Sequence, residues 1–207
     1  MQSLMEVEVK LRLKHSTDHH QLLTLLSPFY IKTLHQHNLF FDTPTSSLSS
    51  QRAFLRLQFI DKDTRCFISL KAKPTLINGV SRVEEDGEEV DPMMAKDCVQ
   101  NPMKLFDLKS RVVKRVIEEF GVDRKIGWVC LGGFENVREV YEWRGLKLVV
   151  DETRYEFGTR YEVECENEDP EKVKRLLKEF LNENGIEYDY SEKSKFAIFQ
   201  AGNSTPS

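Results

Sequence analysis

The sequence predicts an antiparallel β-barrel of the α+β class with helices packed outside. Strand-like segments outnumber helical ones and are joined by short turns. Strand after strand also alternates apolar residues with charged ones, rather than with the small polar residues of a solvated face. The first strand, about residues 5–13, sets the pattern: Val7, Val9, Leu11 and Leu13 share one side, and Glu6, Glu8, Lys10 and Arg12 the other. A row of charges on one strand face needs water, counter-charges or a ligand. The apolar faces must meet the helices, so the charged faces are expected to point inward together, the reverse of an ordinary barrel.

A helix over about 17–27 carries Leu22, Leu23, Leu25 and Leu26, with Thr17 or Asp18 as N-cap and Pro28 as its stop. Strands are expected at 33–41, 53–60, 65–72 and 80–90, with Asn78-Gly79 as a hairpin turn. The apolar spacing over 102–120 predicts one helix ended by Gly121. Strands return at 126–130, 134–143, 146–153 and 160–166; Gly132-Gly133 reads as a turn and Arg144-Gly145 as a hairpin. Asp169-Pro170 opens a helix whose stripe is Val173, Leu176, Leu177, Phe180 and Leu181. A last short helix or turn holds 191–199.

At 207 residues the chain is expected to be one domain over 1–200, with a disordered tail at 201–207. A net charge of -4 argues against general nucleic-acid binding. No run is apolar enough to span a bilayer, and the N-terminus lacks signal-peptide regions. Cys66, Cys98, Cys130 and Cys165 show no metal or redox spacing and read as reduced buried thiols of a cytoplasmic protein, or one also present in the nucleus.

Strand parity places further charges on the inward side: Arg52, Arg56 and Gln58; Ser69, Lys71 and Lys73; Arg82 and Glu84; Asn136 and Arg138; Lys147 and Asp151; Glu162, Glu164 and Glu166. Glu6 and Glu8 stand roughly 6.6–7 Å apart along their strand, so one ion needs a second strand as well. The 162–166 strand and Asp151 supply it. Oxygen-only ligands suit Mg²⁺ or Mn²⁺ and argue against zinc. Glu162 is equally suited to a salt bridge with an inward arginine. The cations suit phosphate oxygens, Arg by bidentate forks and Lys as point charges.

The ordered set Glu6-Val7-Glu8-Val9-Lys10, FFDTP (40–44), RAFLRL (52–57), SLKAKP (69–74), SRVEED (81–86), VDET (150–153), YEVECE (161–166) and SKF (194–196) resembles the CYTH-domain family, the triphosphate tunnel metalloenzymes. The small plant inorganic tripolyphosphatases are the most similar members. The resemblance implies an eight-stranded antiparallel tunnel and metal-dependent hydrolysis of tripolyphosphate to pyrophosphate and phosphate. It implies that Glu6, Glu8, Asp151, Glu162, Glu164 and Glu166 hold the Mg²⁺ or Mn²⁺. Lys10, Arg12, Arg52, Arg56, Lys71, Lys73, Arg82, Arg138, Lys147 and Lys195 would grip the phosphates. Lys195, with Glu6 and Glu8, would serve catalysis, Lys195 as a base if nearby cations lower its pKa. Of Glu84 and Glu85, parity favours Glu84 as the residue ordering the cations. Gln58 stands where many relatives have Arg. The expected partner is a small-molecule triphosphate, with no nucleic acid or membrane, and the chain is expected to act as a monomer. Thiamine or nucleoside triphosphatase, class IV-type adenylate cyclase and a non-catalytic polyphosphate-binding module are the alternatives on the same fold.

Overall fold

The computed structural model of the chain describes residues 4–203. Its elements are β1 (Leu4–Leu13), α1 (Ser16–Leu26), β2 (Tyr30–Asp42), β3 (Ala53–Ile60), β4 (Arg65–Ile77), β5 (Val80–Val90), α2 (Pro92–Gln100), α3 (Arg111–Phe120), β6 (Val129–Trp143), β7 (Leu146–Tyr155), β8 (Gly158–Glu166), α4 (Pro170–Glu183), β9 (Tyr188–Tyr190) and α5 (Lys195–Asn203). The strands hydrogen-bond in the order β5-β4-β3-β2-β6-β7-β8-β1-β9, and β5 also pairs with β1. The ladder from β1 to β8 therefore closes on itself, which is the connectivity of the expected antiparallel eight-stranded barrel. Helix α5 runs through Asn203. Residues 204–207 of the expected tail lie outside the described residues.

The chain packs as two compact units. The first holds Gln36–Pro74 and Val83–Phe134 together with residues 4 and 5 at the start of β1. Its core joins Leu55, Leu57, Ile68 and Leu70 from one sheet face to Ala95, Cys98, Val112, Val113 and Val116 of α2 and α3. The second holds Glu6–His35, Thr75–Arg82 and the chain from Glu135 onward. There Val9, Leu11, Leu148, Val150 and Val163 pack on Leu22 and Leu26 of α1 and on Val173, Leu177 and Leu181 of α4. In both units the alternation puts the apolar side against helices, as expected.

Several elements differ from the sequence reading. The 102–120 stripe is two elements, a 3-10 turn at Pro102–Asp107 and α3. Ser110 breaks it as the N-cap of α3, accepting from the Val113 N–H. Glu88 of β5 holds the break, accepting from Ser110 Oγ at 2.6 Å and from the Val112 N–H at 3.1 Å. Helix α2 was not expected, although Asp91-Pro92 repeats the Asp169-Pro170 start and Asp91 caps Met93 and Met94. Helix α1 starts one residue earlier than read. Its Asp18 is not the N-cap but accepts from the His15 N–H, and also from the Glu187 N–H. Gly132-Gly133 is not a turn: both lie inside β6, which is continuous. A Cβ at Gly133 would meet the Asn38 carbonyl oxygen at 1.7 Å, so only glycine allows that approach. The hairpins at Asn78-Gly79 and Arg144-Gly145 form as expected, all four residues at positive φ. Cys66, Cys98 and Cys165 are buried and unbridged, whereas Cys130 is partly exposed. Burial pushes the Cys66 thiol up to about 12.

Candidate active site

Registration of β1, β8, β7 and β6 brings one face of the second unit together. Lys10 stands opposite Glu164 and Arg12 opposite Glu162. Asp151 stands between Glu162 on β8 and Arg138 on β6. Lys195, at the start of α5, completes the group. Its Nζ lies 2.9 Å from Asp151 and 3.1 Å from Glu162, and it contacts Glu164. Lys10 Nζ contacts Glu8 and lies 2.9 Å from Glu164. Arg138 donates twice to Asp151, at 2.8 and 2.6 Å, and to Glu164 at 2.8 Å. Arg12 reaches Glu162 at 3.5 Å.

Four buried carboxylates (Glu8, Asp151, Glu162, Glu164) thus interleave with four cations (Lys10, Arg12, Arg138, Lys195) in one charge-balanced network. Burial alone would lower the Lys195 pKa, but attraction to Asp151, Glu164 and Glu162 outweighs it and holds the ammonium well above the usual lysine value. The premise of a lowered lysine is reversed, because its neighbours are mainly acidic. Lys10 is raised the same way by Glu164 and Glu8 against its desolvation. Burial would raise the Glu164 pKa, but Lys10, Lys195 and Arg138 together hold it well below the usual carboxylate value. Asp151 is likewise lowered, by Arg138 and Lys195 against its burial. The Nε of Arg12 is buried without a hydrogen-bond partner. An orphaned guanidinium N–H is a donor suited to an incoming anion's oxygen.

The first unit carries a smaller basic group. Arg56 Nε donates to Ser69 Oγ at 3.2 Å, and Arg56 and Lys71 share Glu85 at 3.4 and 3.2 Å. It is Glu85, not Glu84, that orders these cations. Its neighbours Asp86 and Glu88 instead face α3, where they meet Arg111, Arg115 and Ser110. Simple parity also fails for Arg52 and Lys73, which both have positive φ (57° and 50°) and end the alternation. Arg52 bonds the Pro74 carbonyl, and Lys73 is exposed beside Glu84 at 3.1 Å. Arg82, Lys147 and Glu166 are exposed as well, and Glu6 is half-buried.

Supporting residues came from longer range. Asn136 donates to Asp151 at 3.0 Å and accepts from Thr153 at 2.7 Å. Asn136 lay on the inward parity, and Thr153 shares the parity of Asp151. Ser191 donates to Glu162 at 2.6 Å; it follows β9, whose pairing with β1 no local pattern announced.

The carboxylates offer hard oxygens only, the donor chemistry of Mg²⁺ or Mn²⁺. Their oxygens are engaged by Lys and Arg, and among the described residues no group of three or more His, Cys, Asp and Glu is arranged around a metal position.

Interleaved acids and bases on one face of a closed antiparallel barrel define the class of the fold. The chain belongs to the CYTH domain family, whose model matches residues 4–199. Among solved structures it is similar to HpAC1 from Hippeastrum, a candidate adenylyl cyclase described with a dominant triphosphatase activity. The two are 52% identical over 97% of this chain and 98% of that one, with a TM-score of 0.93. A candidate adenylate cyclase from Bacillus halodurans shares the fold at 20% identity, covering 96% and 99%, with a TM-score of 0.72. The PH1012 protein of Pyrococcus horikoshii does so at 17%, covering 92% and 96%, with a TM-score of 0.59. Among curated proteins none matches the sequence. No helix among the described residues is long and apolar enough to cross a membrane.

Proposed function

We propose that this protein is a metal-dependent triphosphatase that hydrolyses inorganic tripolyphosphate to pyrophosphate and phosphate. The observation that carries the reading is the buried network of four carboxylates and four cations on the charged face. The activity described for the Hippeastrum protein, at 52% identity, supports it. A phosphate chain needs many cationic donors, and Lys10, Arg12, Arg138 and Lys195 of the second unit provide them. A binding module would need only those bases. The carboxylates Glu8, Asp151, Glu162 and Glu164, with Glu6 nearby in sequence, are the residues that would hold Mg²⁺ or Mn²⁺. When bound, such an ion neutralises charge developing on the transferred phosphoryl group and orients or activates water.

The protein's own residues bind and orient. Lysine and arginine hold the phosphate oxygens for in-line attack on the terminal phosphorus. Lys195, whose Nζ lies 2.9 Å from Asp151 and 3.1 Å from Glu162, is placed to donate to a phosphate oxygen and stabilise its charge. The test is initial rates on tripolyphosphate, ATP and thiamine triphosphate with Mg²⁺, with Mn²⁺ and in excess EDTA. Tripolyphosphate is expected to have the highest kcat/KM, and EDTA to abolish turnover. Undiminished hydrolysis in EDTA would remove the metal from the account.

A further inference from the structure

We propose that Gln58 and Asn38 end the phosphate-gripping surface of the first unit at Arg56 and Lys71, and so restrict the protein to short linear phosphate chains. The inference rests on the triphosphatase reading.

Three successive positions of β3 face the same way: Phe54, Arg56 and Gln58. Their ladder partners on β4 are Lys71, Ser69 and Phe67. On β2, Phe40 stands beside Arg56 and Asn38 beside Gln58. The first two ranks therefore carry one cation each, while the third, Asn38–Gln58–Phe67, carries two amides and a phenyl ring. Gln58 Nε2 donates to Asn38 Oδ1 at 2.9 Å, and Asn38 is buried. These amides are neutral and spend hydrogen-bonding capacity on each other.

The surroundings reinforce the stop. Phe40 is fully buried beside Arg56, with the rings of Phe54 and Phe134 at 5.5 and 5.4 Å. The following rank holds Arg65, opposite Ile60, but Glu89 binds that guanidinium bidentately at 2.7 and 2.9 Å. A phosphoryl group pushed past Arg56 along this face of the unit would lose water against a neutral rank and reach a cation again only at Arg65, whose guanidinium lies 4.8 Å over the Phe67 ring. Ranks on one face are about 6.6–6.8 Å apart, so an arginine at position 58 would extend the grip by one such step.

The experiment compares binding and kcat/KM for linear chains of three, four and many phosphates, in the wild-type protein, Gln58→Arg, Gln58→Lys and Gln58→Ala. Wild type is expected to bind tripolyphosphate at least as tightly as longer chains. Gln58→Arg should raise the long-to-short ratio by about tenfold or more, the effect of one added charge-assisted contact. Gln58→Lys should raise it in the same direction, and Gln58→Ala, which adds no charge, should leave it unchanged. A wild type that grips each longer chain more tightly overturns the inference, whether or not any variant folds. So does a folded Gln58→Arg or Gln58→Lys whose ratio stays within roughly twofold of wild type. Failure to bind tripolyphosphate at all would instead overturn the triphosphatase reading beneath it.

Discussion

Replacing Lys195 by Met tests the charge-balanced network by removing one cation at nearly constant length. Lys195 touches Asp151, Glu162 and Glu164, whose side chains are 0, 4 and 2% exposed. Breaking a buried ion pair from one side costs about 3–5 kcal/mol, because the remaining charge is stranded. Each carboxylate keeps another partner: Arg138 for Asp151, Lys10 and Arg138 for Glu164, Arg12 and Ser191 for Glu162. The lower figure, about 3 kcal/mol, is therefore expected, lowering Tm by about 6–12 °C for a chain of this size. The pH dependence has a definite sign. Asp151 and Glu164 have depressed pKa values in the folded protein, so the stability they contribute is present above their unfolded values and lost as pH falls through the folded ones. Lys195 is raised, so its contribution is complete below the unfolded lysine value and lost only as pH rises through the folded one. The deficit of Lys195→Met should be full at pH 7 and shrink as acid neutralises the stranded carboxylates. Melting curves from pH 4 to 8 measure it. An unchanged Tm at pH 7, or a deficit independent of pH, refutes the network. A purely basic surface would give the opposite sign, since losing a cation would relieve repulsion.

Other substitutions probe different parts. Leu57→Ala truncates a side chain with no exposure in the first unit's core and should cost about 2–5 kcal/mol in denaturant melts, with the charged face left in place. Gly133→Ala forces a methyl group onto the Asn38 carbonyl and should lower the midpoint of thermal melts or the yield of folded protein, by more than the about 1–3 kcal/mol of ordinary overpacking. Ser191→Ala removes the hydroxyl that bonds Glu162 and should cost about 1–3 kcal/mol, read from the same melts. Glu164→Gln should reduce turnover sharply while circular dichroism stays that of the wild type.

The period-two alternation was enough to read the barrel and much of its charged face, because the two sides of a strand are fixed by the backbone. It succeeded for Glu8, Lys10 and Arg12, for Arg138, Asp151, Glu162 and Glu164, and for Arg56 and Lys71, all in regular ladders. It failed where φ turns positive, at Arg52 and Lys73, and on β5, where Glu85 rather than Glu84 meets the cations. The break at Ser110 and the bond from Ser191 to Glu162 depend on partners 22 and 29 residues away, beyond any local window. The sign of the Lys195 shift was equally hidden, since it depends on which charges three strands bring to one point. Gly132-Gly133 misled because a glycine pair serves a close backbone approach as readily as a turn.

The most direct test of the account follows phosphorus by ³¹P NMR as purified protein acts on tripolyphosphate with Mg²⁺ or Mn²⁺. Tripolyphosphate resonances should decay as phosphate and pyrophosphate rise in equal amounts, while ATP under the same conditions is consumed far more slowly. An inert tripolyphosphate, with ATP converted to pyrophosphate and cyclic AMP, would contradict the account and make the protein a cyclase.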